Sequence, residues 1–146
     1  MRALVIVHLS SLDAYARHAG VEEAARLADR LEAAVLRWEG PVYVIDQRWP
    51  IDRKWSRPRW NFVMNVQIQR EIFWKHFDDR IDWDIFMNHF AARLTADGIR
   101  NVTLGGVWFH PGKAGGAVND LREKLEKKHF RVVVDKSLTG TWAGAA

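Results

Sequence analysis

Ala3-Leu-Val-Ile-Val-His8 is an unbroken apolar run rich in β-branched residues, and it reads as a strand buried on both faces. From Val21 to Trp38, apolar residues return at positions 21, 24, 28, 31 and 35, the spacing of one helix face. Glu22 and Glu23 lie near the start of that helix and Arg37 near its end, where the macrodipole favours each charge. Gly40-Pro41 stops it, and Val42-Tyr-Val-Ile45 supplies a second strand. Strand, helix and strand in this order form a βαβ unit, hence a parallel pair with a right-handed crossover.

The order recurs toward the other end. Trp83 to Thr95 reads as a helix broken by Asp97-Gly98, and Asn101-Val-Thr-Leu104 as a strand extending through Val107-Trp108-Phe109. A helix from about Ala114 to Lys128 then precedes the strand Phe130-Arg-Val-Val-Val134. Between the two units, Asn61 to Gln69 partly alternates, while Ile72, Phe73, Trp74 and Phe77 are spaced as on a helix. A loop or short strand leading into a helix at about Arg70–Phe77 is therefore expected. The expected fold is α/β: a three-layer, doubly wound, Rossmann-like sheet, mostly parallel, with at least four strands and helices on both faces. One domain over residues 1–136 and a C-terminal tail over 137–146 complete the expected organisation.

Composition narrows the function classes. The chain has 146 residues, 48% of them hydrophobic, enough for one core without staples. It has no cysteine, which excludes a disulfide framework, a thiolate metal site and a cysteine nucleophile together. Apolar runs are strand-sized, far short of the roughly 20 residues of a membrane span, and Met1-Arg2 leads straight into the first of them with no signal-peptide pattern. A cytoplasmic location without membrane association is the expectation.

The net charge is +4, and the stretch Arg48–Trp60 alone accounts for it: Arg48, Arg53, Lys54, Arg57 and Arg59 stand against Asp52. Trp49, Trp55 and Trp60 interleave with these cations, and Pro50 and Pro58 keep the segment from a regular helix. Two readings stay open. The loop grips phosphates and stacks on bases, as a nucleic-acid or nucleotide contact would, or its Arg stems lie across Trp faces and fix it to the body.

In an open parallel sheet, ligands bind beyond the carboxyl ends of the strands, near the point where strand order reverses. The expected strand ends deliver His8, Ser10 and Ser11; Asp46 and Gln47; His110 with Pro111-Gly112-Lys113; and Asp135 with Lys136. The glycine-rich stretch Gly105–Gly116 enters a helix, an arrangement that suits an anion. It is not a nucleotide-triphosphate loop, because five residues separate Gly106 from Gly112 and Ala114 stands where the hydroxyl is required. The dinucleotide fingerprint is absent after the first strand.

Leu94-Thr-Ala-Asp-Gly98-Ile-Arg-Asn-Val-Thr-Leu-Gly-Gly106-Val107 resembles the helix end, Gly-Ile turn, strand and Gly-Val of the isochorismatase-like hydrolases, a group that includes nicotinamidases. Phe130–Asp135 is similar to the family's next strand, Ala3–His8 to its first, and Val42–Pro50 to its second strand and following loop. The resemblance covers most of residues 1–136. It implies a site built from an aspartate ending strand one, a lysine in the middle region and a cysteine nucleophile at the start of the later helix. Here those positions fall on His8, on Lys75 and at or next to Gly112. Without a thiolate there is no covalent acyl intermediate, so the resemblance implies a degenerate member. The closing helix and strand common in the family are not recognised, which implies an edge that a partner subunit covers.

The resulting expectation is a small anionic or nucleotide-like molecule bound at the strand ends, with no cofactor and no metal. Ser10, Asp46, Arg48, Trp108, Gly112, Lys113 and Asp135 are the candidate ligand-binding residues, and His8, His110 and Lys75 the candidate catalytic ones. A homo-oligomer is expected. Two other classes stay open: a protein- or nucleic-acid-interaction module using residues 48–60, and a hydrolase of altered mechanism with His8 or His110 as general base.

Overall fold

The computed structural model describes residues 2–8, 11–47, 71–75, 83–110 and 116–142; of residues 46, 47, 71–75, 83 and 84 it describes the backbone. Five parallel strands form one sheet: β1 (Arg2–Val7), β2 (Val42–Gln47), β3 (Glu71–Lys75), β4 (Asn101–Phe109) and β5 (Arg131–Thr141), in the order β3-β2-β1-β4-β5. The helices are α1 (Leu12–Ala19), α2 (Val21–Arg37), α3 (Trp83–Ala96) and α4 (Ala117–Lys127).

β1 sits at the centre, and its period-2 alternation divides the core. Leu4 and Ile6 point to one face, where Leu12, Tyr15, Leu27, Leu31 and Val35 of α1 and α2 cover them. Ala3, Val5 and Val7 point to the other, under Met87, Phe90 and Leu94 of α3 and Val118, Leu121 and Leu125 of α4. Both faces being covered, every residue from Ala3 to Val7 is at most 1% exposed, as a run without alternation requires. Each large side chain buried there contributes about 1.5–3 kcal/mol. On α2 the buried positions are Ala24, Leu27, Ala28, Leu31 and Val35, a single stripe. On α3 they are Met87, Phe90, Ala91 and Leu94.

Two expectations are corrected. The segment expected as a helix around Arg70–Phe77 is instead the strand β3 over Glu71–Lys75, paired with β2 in the register Tyr43↔Glu71 to Gln47↔Lys75. The C-terminal region is not a tail from residue 137: β5 runs to Thr141, with a register shift from Leu104↔Val134 to Gly106↔Thr139. Asp135-Lys136-Ser137 reads as a strand exit because it is polar, but it is a bulge, after which Leu138 returns to the core at 6% exposure.

Candidate functional site

Strand order reverses between β1 and β4. β2 and β3 extend the sheet on one side of β1, while β4 and β5 extend it on the other. The chain leaving β1 packs α1 and α2 on one face of the sheet and the chain leaving β4 packs α4 on the other, the arrangement in which an open α/β sheet offers a crevice. β1 ends at Val7, opposite Gly106 of β4, and both strands hand over at once to the candidate residues.

His8 leaves β1 with φ at 55°, a left-handed conformation that a non-glycine residue adopts only where its surroundings hold it. Its N–H donates to Ile45 O at 2.7 Å, its carbonyl accepts from Ser11 N–H at 2.9 Å, and its ring nitrogen Nε2 is buried. Across the crevice, Gly106 has φ at 115°, and a Cβ there would lie 2.1 Å from Val7 O. Only glycine lets β4 pass so close to β1. The Val107–Trp108 peptide that follows is cis.

Trp108 turns toward α1. Its indole meets Tyr15 and His18 edge-on, each with ring centroids 5.5 Å apart, and Trp142 at 5.1 Å. His18 stacks flat on Trp142 at 4.2 Å, and the ring of His110 lies nearly parallel to Trp142 at 6.2 Å. Trp142 N–H donates to Phe109 O at 2.9 Å, tying the end of β5 to the end of β4. His110 is fixed through its own carbonyl, which accepts from Asn119 Nδ2 of α4 at 2.9 Å. Gly116, φ 81°, leaves room for the imidazole, because a Cβ there would stand 2.5 Å from His110 Cδ2.

Beneath this cluster, burial raises Tyr15 above the ordinary tyrosine value, and the nearby Glu23 carboxylate adds to the effect. Burial also raises Glu23, but hydrogen bonds from Arg30 and Arg26 outweigh it and hold that carboxyl below its usual range. Arg30 Nη2 and Arg26 Nη2 reach Glu23 at 3.2 and 3.1 Å.

Of the expected residues, His8, Trp108 and His110 therefore come from the ends of neighbouring strands at the switch point. The backbones of Asp46 and Lys75 lie at the same carboxyl rim on β2 and β3, with Lys75 two strands away from β1. Ser10, Arg48, Gly112 and Lys113 lie outside the described residues, as does the whole Arg48–Trp60 stretch. Asp135 does not reach the rim. β5 continues six residues beyond it, and its Oδ1 accepts from the backbone N–H and the hydroxyl of Ser137 at 3.0 and 2.6 Å. It lines an open groove of about 510 Å³ between α2 and β5, together with Arg30, Ala33, Trp38 and Leu138, away from the switch point.

Four residues of the cluster escape a reading of the sequence. Tyr15 and His18 sit on a helix that its eight residues leave hard to recognise, and Asn119 is an ordinary polar residue of an amphipathic helix. Trp142 carries a usable signal: Leu138, Gly140 and Trp142 alternate with Thr139 and Thr141, a strand pattern inside a small-residue stretch. Among the described residues, no group of three or more His, Asp or Glu side chains is placed to hold a metal ion, and no helix is long and apolar enough to cross a membrane.

No protein-family model matches the chain, and no curated protein matches it. A solved structure does: an isochorismatase family protein from Burkholderia thailandensis, 16% identical, with a TM-score of 0.56 over 97% of this chain and 80% of that one. The chain thus has an isochorismatase-like α/β fold. It has no cysteine with which to carry out thiol chemistry.

Proposed function

We propose that this chain binds a small anionic or nucleotide-like molecule at the carboxyl ends of β1 and β4, without cysteine-dependent catalysis. The observation that carries the reading is that the two strands flanking the switch point end in His8 and in the Trp108–His110 segment. Two imidazoles supply donors and acceptors, and an indole supplies a planar apolar surface, the mixture a small-molecule site uses. α4 begins at Ala117 just beyond this rim, so the positive end of its dipole favours a negatively charged ligand. Lys113 and Arg48 would add charge, and Ser10 and Asp46 hydrogen bonds.

Thermal-shift and calorimetric titration against nucleotides and aromatic carboxylates tests this, since a ligand of the folded state raises its stability. The expected result is saturable binding that His8→Ala and His110→Ala weaken by about 1–3 kcal/mol each, the cost of an unmade buried hydrogen bond. Absence of any response, together with salt-sensitive oligonucleotide binding, would instead support an interaction module working through residues 48–60. Turnover that disappears in a folded His8→Ala or His110→Ala protein would establish a hydrolase of altered mechanism.

A further inference from the structure

We propose that the outer edge of β5 is the seam of a two-fold dimer, in which Arg131–Asp135 pairs antiparallel with the same segment of a second copy. β5 ends the sheet among the described residues, so one row of its backbone groups faces no strand. The phase of that row is known. Arg131 N–H donates inward to Arg100 O at 2.9 Å, and alternate residues of a strand turn their N–H and C=O groups to opposite edges. Arg131 and Val133 thus face β4, whereas Val132 and Val134 present donors and acceptors outward.

A two-fold axis at Val133 sets Val132 opposite Val134 of the second copy, with both pairs of outward groups in the hydrogen-bonded register. Val133 then meets its own copy in the close, non-hydrogen-bonded position. That residue is 51% exposed, one of the few large hydrophobic side chains so exposed among the described residues. The same register sets Arg131 opposite Asp135 on both sides of the axis, so the segment Arg-Val-Val-Val-Asp is complementary to itself in charge as well as in hydrogen bonding. Asp135 Oδ1 accepts from Ser137, and its Oδ2 carries no hydrogen bond among the described residues.

The window closes by itself after Asp135. The register shift bends the strand, and Arg30 Nε of α2 caps the carbonyl of Ser137 at 2.7 Å. An edge that leaves the backbone groups of Val132 and Val134 and the side chain of Val133 without a neighbouring strand is a liability unless it is paired, and here the pairing unit that fits it is the chain itself.

Sedimentation velocity from about 1 to 100 μM, the range expected for a small interface, should show a monomer converting to a dimer. Val133→Lys, an exposed position, should leave the far-UV circular dichroism unchanged and weaken association by about ten-fold or more. Arg131→Asp and Asp135→Arg should each be monomeric alone and form a heterodimer when mixed, because the mixture restores both opposite-charge pairs. Amide exchange at Val132 and Val134 should slow at dimer-forming concentrations, while Arg131 and Val133 are protected throughout. A wild-type chain that stays monomeric, a Val133→Lys protein that dimerises as tightly, or a mixture that fails to associate would overturn the proposal.

Discussion

The imidazole of His18 lies flat on the indole of Trp142, with ring centroids 4.2 Å apart and planes 11° from parallel. The contact joins α1 to the first residue after β5 and closes an aromatic layer that also holds Tyr15, Trp108 and His110. Trp142→Ala should therefore cost about 2–3 kcal/mol, area burial and aromatic pairing together, read as a shift of the urea midpoint without change of slope. Ending the chain at Lys136 removes the buried Leu138 and Thr139 as well. That truncated chain should fail to fold, with loss of cooperative unfolding as the readout.

At the switch point the close approach of β4 to β1 rests on one missing atom. Gly106→Ala would place a Cβ 2.1 Å from Val7 O on a backbone with φ at 115°. Contact and strain act together, so a loss of about 4 kcal/mol or more is expected. Equilibrium denaturation should show it; a variant as stable as the wild type would mean that the crevice is not formed this way.

What the residues declare in advance follows their environment. β1, β2 and β4 are legible because full burial on two faces demands unbroken apolar runs, and α2 because one buried stripe repeats over 17 residues. β3 is not legible: Glu71-Ile-Phe-Trp-Lys75 is five residues long, too few to separate a period of 2 from one of 3.6. β5 misleads because its bulge is polar, and so Asp135 reads as a strand end. His8, Trp108 and His110 are legible as strand-end residues of a parallel sheet. Their neighbours Tyr15 and His18 are not, because long-range packing and no local pattern brings them there, and Trp142 is legible only as the end of the Leu138–Gly140–Trp142 alternation.

Tyr15 provides an alkaline limit. Burial and the Glu23 carboxylate raise its folded pKa above the unfolded value of 10.0. Its neutral form is thus favoured by folding: the contribution is fully present below that unfolded value and is lost as pH rises through the folded one. Wild-type stability should fall above about pH 10 more steeply than that of Tyr15→Phe, whose ring still packs on Trp108 but carries no proton to lose. Denaturation midpoints between neutral and strongly alkaline pH measure the difference. Parallel curves for the two proteins would remove Tyr15 from this role.

The acid limit lies at the opposite end of the sheet. The Tyr43 hydroxyl donates to Asp97 Oδ2, and Arg93 Nε reaches the same oxygen at 3.0 Å. The Tyr43 bond, with help from Arg93, holds the Asp97 carboxyl below its ordinary value of 3.8 despite partial desolvation. A depressed carboxyl contributes stability above its unfolded pKa and loses it as pH falls through the folded one. Glu23, held low by Arg30 and Arg26, acts in the same direction. Carboxyl carbon chemical shifts followed by NMR should place both titrations below those of unpaired side chains. Tyr43→Phe should move Asp97 upward toward 3.8 while leaving Glu23 where it is, because the two carboxylates share no partner among the described residues. Movement of both would show instead that the substitution had loosened the whole sheet.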